Sequence, residues 1–251
     1  MTIDTPLAHH IPALRQLWQK AFGDSDEFLD GFFSVGFAPE RCRVLLTEGN
    51  IAAMLYWFDC RWSNQKVAYL YAVATDPACQ GKGFCRRLME NTHAHLQAAG
   101  YDGAILVPGE KDLFSLYRKI GYAPCCDATL QTVLAGTGKV SCKQIPAGAY
   151  AAAQKKYLPG DSVLHSQSTL VFAATFNKFY QGKGFAFCGA AEDDTFFFQE
   201  FLGDPAALPE ILATLGAKKG VVRLPGGEPY AMYRSLNGDG PLPSRFGIPL
   251  N

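Results

Sequence analysis

Between an apolar stretch ending near Thr75 and a helical pattern beginning near Gly83 lies a short loop, Gln80-Gly81-Lys82-Gly83. A strand, a glycine-bearing loop and a helix start, in that order, make an anion site. The first backbone N–H groups of a helix have no partner inside it, and the helix dipole adds partial positive charge at that end. Lys82 and Arg86 can add formal charge. The plainer reading of the same residues is a glycine turn with a solvated lysine. Context decides, because Gln-Gly-Lys-Gly-Phe occurs twice, at 80–84 and at 181–185. The second copy follows a helix-like segment, ATFNKFYQ, and precedes a strand-like one, so it reads as a helix C-cap and turn.

A second feature is Leu116-Tyr117-Arg118-Lys119-Ile120-Gly121-Tyr122. A phenol here is either a proton donor or a packed aromatic with a polar tip. Carboxylates are scarcer where a base would be wanted. The segment Lys66–Tyr71 holds no acid, and Glu110 is the nearest one to the following strand's end, where it equally suits helix capping. His93 and His95 are too close in sequence to share a helix face and read as solvated or packed at its edge.

These groups need elements to position them. Ile11, Leu14, Leu17, Trp18 and Phe22 recur at helical spacing and Gly23 ends that helix; Asp24 or Ser25 can cap a second one carrying Phe28, Leu29, Phe32 and Phe33. Strands are expected at 43–47, 51–60 and 66–75, a helix at 83–99 stopped by Gly100, a strand at 103–107, and a helix at 111–120 stopped by Gly121. Met1–Asp4 is a possible opening strand, kept short by Pro6. The stretch 135–141 reads as a linker. Beyond it helices are expected at 146–157, 166–180 and 205–215, and strands at 184–188, 195–202, 220–224 and 230–236. The second half partly repeats the first, with Gly203-Asp204-Pro205 where the anion loop would stand; an aspartate there opposes a phosphate.

Composition bounds the partners. Lys+Arg 23 against Asp+Glu 23 gives no net charge, so nucleic acid and anionic membrane are not expected partners. No apolar run approaches the ~18 residues that cross a bilayer, and Met1-Thr2-Ile3-Asp4 lacks the start of a signal peptide, so a cytoplasmic location is expected. None of the eight cysteines forms a CxxC pair, and no metal site is expected; most read as reduced, buried apolar side chains. Cys85 is the expected exception, since a helix N-terminus lowers a thiol pKa. A P-loop would need GxxxxGK[ST], and a dinucleotide fingerprint a third glycine where Arg86 stands.

With these residues in place, the chain resembles the GCN5-related N-acetyltransferase (GNAT) superfamily. The loop Gln80-Gly81-Lys82-Gly83-Phe84-Cys85 is similar to the superfamily's Gln/Arg-x-x-Gly-x-Gly/Ala, with Cys85 in the last place, and 116–122 is similar to its LYxKxGF stretch. The resemblance implies an α/β (α+β) GNAT fold, a mixed central sheet flanked by helices. It covers roughly 1–135 as a catalytic domain, with 142–251 as a second, degenerate GNAT-like domain. It implies acetyl-CoA as cosubstrate. Backbone of Val73, Ala74 and Thr75 would pair with the pantetheine arm, and Gln80, Gly81, Lys82, Gly83, Phe84, Cys85 and Arg86 would hold the pyrophosphate. The Val73 N–H would polarise the thioester, and Tyr117 would protonate the leaving thiolate. The acceptor would be a small-molecule or peptide amine near Trp18, Asp24, Asp26, Glu27, Phe28 and Phe32. The tandem arrangement and the Trp18…Phe22-Gly23-Asp24 opening resemble the Eis family, which implies a C-terminal carboxylate, here at Asn251, as a possible base. Eis proteins carry a third domain for which this length leaves no room. The reaction implied is direct acetyl transfer to a primary amine in a ternary complex. The alternative is a non-catalytic acyl-CoA-binding sensor or assembly protein of the same fold.

Overall fold

A computed structural model describes residues 1–250; Asn251, and with it the possible carboxylate base, lies outside the described residues. The opening strand β1 (Thr2–Asp4) forms and stays short. Helix α1 (Ile11–Phe22) buries Leu14, Leu17 and Trp18 and stops at Gly23, whose φ of 73° supplies the left-handed cap. Ser25 Oγ accepts from Phe28 N–H and starts α2 (Asp26–Gly31). Strands β2 (Cys42–Thr47), β3 (Asn50–Trp62) and β4 (Gln65–Thr75) follow as an antiparallel run, then α3 (Phe84–Ala98), β5 (Gly103–Leu106) and the short α4 (Leu113–Arg118). The last is two residues shorter at each end than its apolar spacing predicts.

The chain then continues through β6 (Ala123–Leu134), β7 (Cys142–Ile145), α5 (Ala147–Tyr157), β8 (Ser162–His165), α6 (Gln167–Ala173), β9 (Lys178–Gly182), β10 (Phe185–Glu192), β11 (Thr195–Leu202), α7 (Leu208–Leu215), β12 (Lys219–Pro225), β13 (Glu228–Ser235) and β14 (Arg245–Phe246). Two compact units result. One comprises Met1–Ala123 with Met232–Leu242, the other Pro124–Ala231 with Pro243–Asn251. The expected division near residue 135 follows composition; the structural one follows strand pairing. Strand β6 pairs antiparallel with β12 and so belongs to the second unit, while Met232–Ser235 of β13 pairs antiparallel with β5 in the first.

In the first unit β4 and β5 run parallel with α3 as the crossover, and the core gathers between the sheet and α3 around Leu55, Trp57, Leu88, Leu96, Leu106 and Tyr117. Leu88, Thr92 and Leu96 line the buried face of α3 as their spacing predicts. In the second unit β11 and β12 run parallel with α7 between them, so the β–α–β unit recurs, packed on an aromatic core of Phe187, Phe196, Phe198 and Phe201.

Two sequence expectations fail here. The helix expected over 166–180 ends at Ala173; alternating Phe179 and Tyr180 instead pair with both β7 and β10. Consequently Gln181–Phe185 is not a helix cap but the reversal of the β9–β10 hairpin, with Gly184 at φ 89°.

Candidate functional site

The site is built where β4 stops being paired with β5. Their parallel register runs only from Val67–Gly103 to Tyr69–Ile105; from Leu70 on, β4 has no partner in β5. On its other side, β4 bulges. Tyr71 lies opposite Tyr56 and Ala74 opposite Met54, so Ala72 and Val73 together face Leu55, and Ala72 takes a φ of 49°. A bulge of this kind adds twist and turns the strand at Ala72–Val73, three residues beyond the last pair with β5. A gap between two parallel strands offers backbone groups to an extended ligand arm.

After β4, Asp76 accepts from Ala78 N–H at 3.0 Å and starts a single 3₁₀ turn, Pro77–Cys79. Lys20 Nζ holds the same carboxylate at 2.9 Å, and this hydrogen bond keeps the Asp76 carboxyl below the usual carboxylate range. Gln80, Gly81, Lys82 and Gly83 are exposed and lead into α3. Gly81 and Gly83 both sit at φ 74°, a conformation that costs other residues about 1–2 kcal/mol. Neither glycine would meet an atom within 4 Å if it carried a Cβ, so conformation rather than crowding selects them. Gly83 is the N-cap residue of α3 and offers no side-chain cap; the first helical bond is Arg87 N–H to Gly83 O. Among the described residues the backbone N–H groups from Gly81 to Arg86 therefore meet no acceptor. Six adjacent free donors at the start of a 15-residue helix are what an anionic group such as a pyrophosphate requires. The residues present fit that group.

Tyr117 lies on α4, 6% exposed, and packs against the same core as Val73, Phe84 and Cys85. Its ring meets Tyr122 edge-on at 6.0 Å, yet its hydroxyl makes no hydrogen bond to any described residue. Burial, reinforced by the nearby Cys85 thiol, pushes its pKa upward, so it is a protonated phenol at neutral pH. Cys85 departs from expectation: it is half-buried, and burial raises its thiol pKa. Tyr122 is a core residue and accepts or donates to buried His93 Nε2 at 2.7 Å, so His93 is neither solvated nor peripheral; His95 is exposed and meets Trp57 edge-on. Glu110 is exposed and its side chain caps nothing; the N-cap residue of α4 is Asp112.

On the far side of β4 lies an aromatic group that sequence reasoning saw only in part. Trp18 and Phe32 were in view, but Tyr56, Phe58 and Tyr71 join them, with ring separations of 4.6 to 5.6 Å. The alternation of Tyr69 and Tyr71 along β4 carried the signal. Trp18 Nε1 donates to Asp24 Oδ2 at 2.7 Å and fixes that carboxylate at the edge of the group. Asp26 is engaged by Gln19 and Arg15, and Asp30 by Arg15 at 2.8 Å. Asp24 has no cationic partner among the described residues.

Among the described residues no cluster of three or more His, Cys, Asp or Glu side chains stands at metal-binding separation, and no helix is long and apolar enough to cross a membrane.

Comparison with known proteins agrees with this architecture. Residues 3–125 match the family model described as an acetyltransferase (GNAT) domain. The chain is similar to the solved GCN5-related N-acetyltransferase of Kribbella flavida, with a TM-score of 0.73 at 15% identity over 94% of this chain and 71% of that one. Eis1 of Mycobacterium abscessus superposes with a TM-score of 0.65 at 11% identity, over 94% of this chain and 74% of Eis1. A putative acetyltransferase from Pyrococcus horikoshii gives 0.67 at 12% identity, over 98% and 93%. At these identities the likeness is one of fold. A search of curated proteins by sequence finds no match.

Proposed function

From the match of residues 3–125 to an acetyltransferase (GNAT) domain, we propose that this chain transfers acetyl from acetyl-CoA directly to a primary amine in a ternary complex. The observation that carries the reading is the end of β4, bulged at Ala72–Val73 and unpaired with β5 beyond Tyr69, followed by the uncapped start of α3. Acetyl-CoA supplies the acyl thioester. Backbone of Val73, Ala74 and Thr75 holds the pantetheine arm as an added strand. Gln80, Gly81, Lys82, Gly83, Phe84, Cys85 and Arg86 hold the pyrophosphate. The Val73 N–H faces the thioester carbonyl, where negative charge develops.

Tyr117 Oη, protonated and without a protein partner, gives its proton to the departing sulfur. As the amine nitrogen bonds to the carbonyl carbon, the carbon–sulfur bond breaks, and the amine's own proton passes to water. Asp24, held by Trp18 and lacking a cationic partner, receives the acceptor's ammonium, which gives one proton to water before it attacks as the free amine; after transfer Tyr117 regains its proton from water. The acceptor is a small molecule or a peptide amine.

β4 carries no carboxylate from Gln65 to Thr75, and this favours the alternative of a non-catalytic acyl-CoA-binding protein over an enzyme with a strand-borne base. One experiment separates them: calorimetric titration with acetyl-CoA, followed by an amine panel read through release of free CoA thiol. Binding with amine-dependent thiol release supports the enzyme. Binding without release for any amine supports the alternative, and no binding to the folded chain refutes both.

A further inference from the structure

The second unit contains a cavity that acyl transfer does not use. It lies between β11, β12 and the C-terminal segment, lined by Glu200, Phe201, Arg223, Tyr230, Arg245 and Gly247, with a volume of about 40 Å³. A single water occupies about 10–15 Å³ on this measure, so the space holds a few heavy atoms. A wider, open depression shares Asp127, Ser244 and Arg245 with it.

Its polar groups are unusual. Glu200 is 5% exposed. Tyr150 Oη and Gln154 Nε2 both donate to Oε2 at 2.8 Å, while Oε1 meets no partner among the described residues. A buried carboxyl oxygen left open costs about 1–3 kcal/mol. Gly247 packs directly against Oε1, and a Cβ at that position would overlap it. Two guanidiniums share the cavity. Arg245 Nη2 donates to Phe201 O at 3.2 Å, and Arg223 stands 5.1 Å from the Tyr230 ring centre. Neither has an ion-pair partner among the described residues. Burial raises the Glu200 pKa, opposed by its hydrogen bonds to Gln154 and Tyr150 and by Arg245.

Two guanidiniums without ion-pair partners thus line one cavity beside the apolar side chains of Phe201, Leu224 and Ile248. Guanidinium groups match planar carboxylates in bidentate geometry. Asp127 at the exposed rim disfavours a multiply charged anion. We propose that this cavity is a second ligand site, taking a short aliphatic carboxylate whose oxygens are shared by Arg223 and Arg245 and whose tail lies on the apolar wall.

The test follows the arginine Nε–H signals of the full-length chain by NMR during titration with sodium propionate. Saturable shifts of two arginine signals are expected, with a Kd of roughly 10 μM to 1 mM. Arg223→Gln, at a half-exposed position, should weaken binding about tenfold or more. Gly83→Asp, aimed at the first unit's loop, should leave propionate binding unchanged. That keeps this proposal separable from the acyl-CoA one. No saturation up to about 50 mM propionate overturns the proposal. So does unchanged affinity in a folded Arg223→Gln, or inorganic phosphate binding more tightly than propionate.

Discussion

The loop at Gly83 permits a charge experiment with its own steric control. Gly83 sits at φ 74°, ψ 14° with open space where a side chain would go. Asn and Asp both visit this conformation more readily than other residues, at a similar cost of about 1 kcal/mol. Gly83→Asn and Gly83→Asp therefore share backbone strain and shape and differ by one negative charge. If the pyrophosphate lies on the free N–H groups from Gly81 to Arg86, the new carboxylate stands roughly 5 Å from it. Coulomb repulsion at that separation is about 0.8 kcal/mol at the dielectric of water and about 3 kcal/mol at an effective value near 20. CoA should thus bind the Asp variant about 4- to 150-fold more weakly than the Asn variant.

Calorimetric titration of both variants measures this ratio directly. The ratio should shrink at high salt, because the screening length falls from about 8 Å at physiological ionic strength to about 3 Å at 1 M. Equal affinities of the two variants for CoA, both proteins being folded, would show that the pyrophosphate is not at this helix start.

Three further outcomes follow from the same geometry. Tyr117→Phe should lower kcat by about one to two orders of magnitude and leave the CoA Kd unchanged; unchanged turnover would remove Tyr117 from the acid role. Asp24→Asn should raise KM for the amine about tenfold with little change in CoA affinity, since its partner Trp18 Nε1 can still donate to the amide oxygen; steady-state kinetics at saturating acetyl-CoA reads this. His93 has its pKa pushed down to about 3 by burial and, secondarily, by Arg234. The unfolded chain takes up that proton first, so stability present above pH ~6.5 declines as pH falls toward ~3, by up to about 1.4 kcal/mol per pH unit. Urea unfolding between about pH 7 and pH 4.5 should show a shallower acid decline in His93→Gln than in the wild type; identical slopes would refute the assignment.

The first unit was largely legible in the chain because its signals are local. Ser25, Gly23 and Asp76 sit at helix and turn boundaries and act through atoms two to four residues away. The apolar stripe Leu88, Thr92, Leu96 needs only helical periodicity to be read. The anion loop is equally local, since backbone N–H groups of one short segment form it. What could not be read is settled by long-range pairing. Phe179 and Tyr180 follow a helical segment without a strong breaker, and become a strand only because β7 and β10 flank them. Likewise β6 reads as the last strand of the first domain by order alone, and pairs with β12 instead. The bulge at Ala72 has no sequence signature, because alanine is an uncommon choice for a positive φ. The Cys85 thiol pKa is set by burial among side chains distant in sequence, which a local helix-start pattern does not reveal.

The two β–α–β units show why a fold repeat need not repeat a site. Asp76-Pro77-Ala78 and Asp204-Pro205-Ala206 begin both crossovers in the same way, each aspartate accepting from the N–H two residues on, at 3.0 and 2.9 Å. Asp204 is thus not a charge placed where the phosphate would sit; its counterpart in the first unit is Asp76, which lies before the anion loop. The difference comes afterwards. In the second unit the 3₁₀ turn Pro205–Ala207 runs straight into α7 at Leu208. In the first, Gln80-Gly81-Lys82-Gly83 is interposed, and its two left-handed glycines turn the chain so that α3 starts with no cap and free donors. The parting of the strands, by contrast, recurs: Gln199 of β11 is an extra residue opposite Cys188 and Gly189, and β11 pairs with β12 only from Thr195 to Phe198. The second unit therefore repeats the strand geometry and lacks the interposed loop with its free donors.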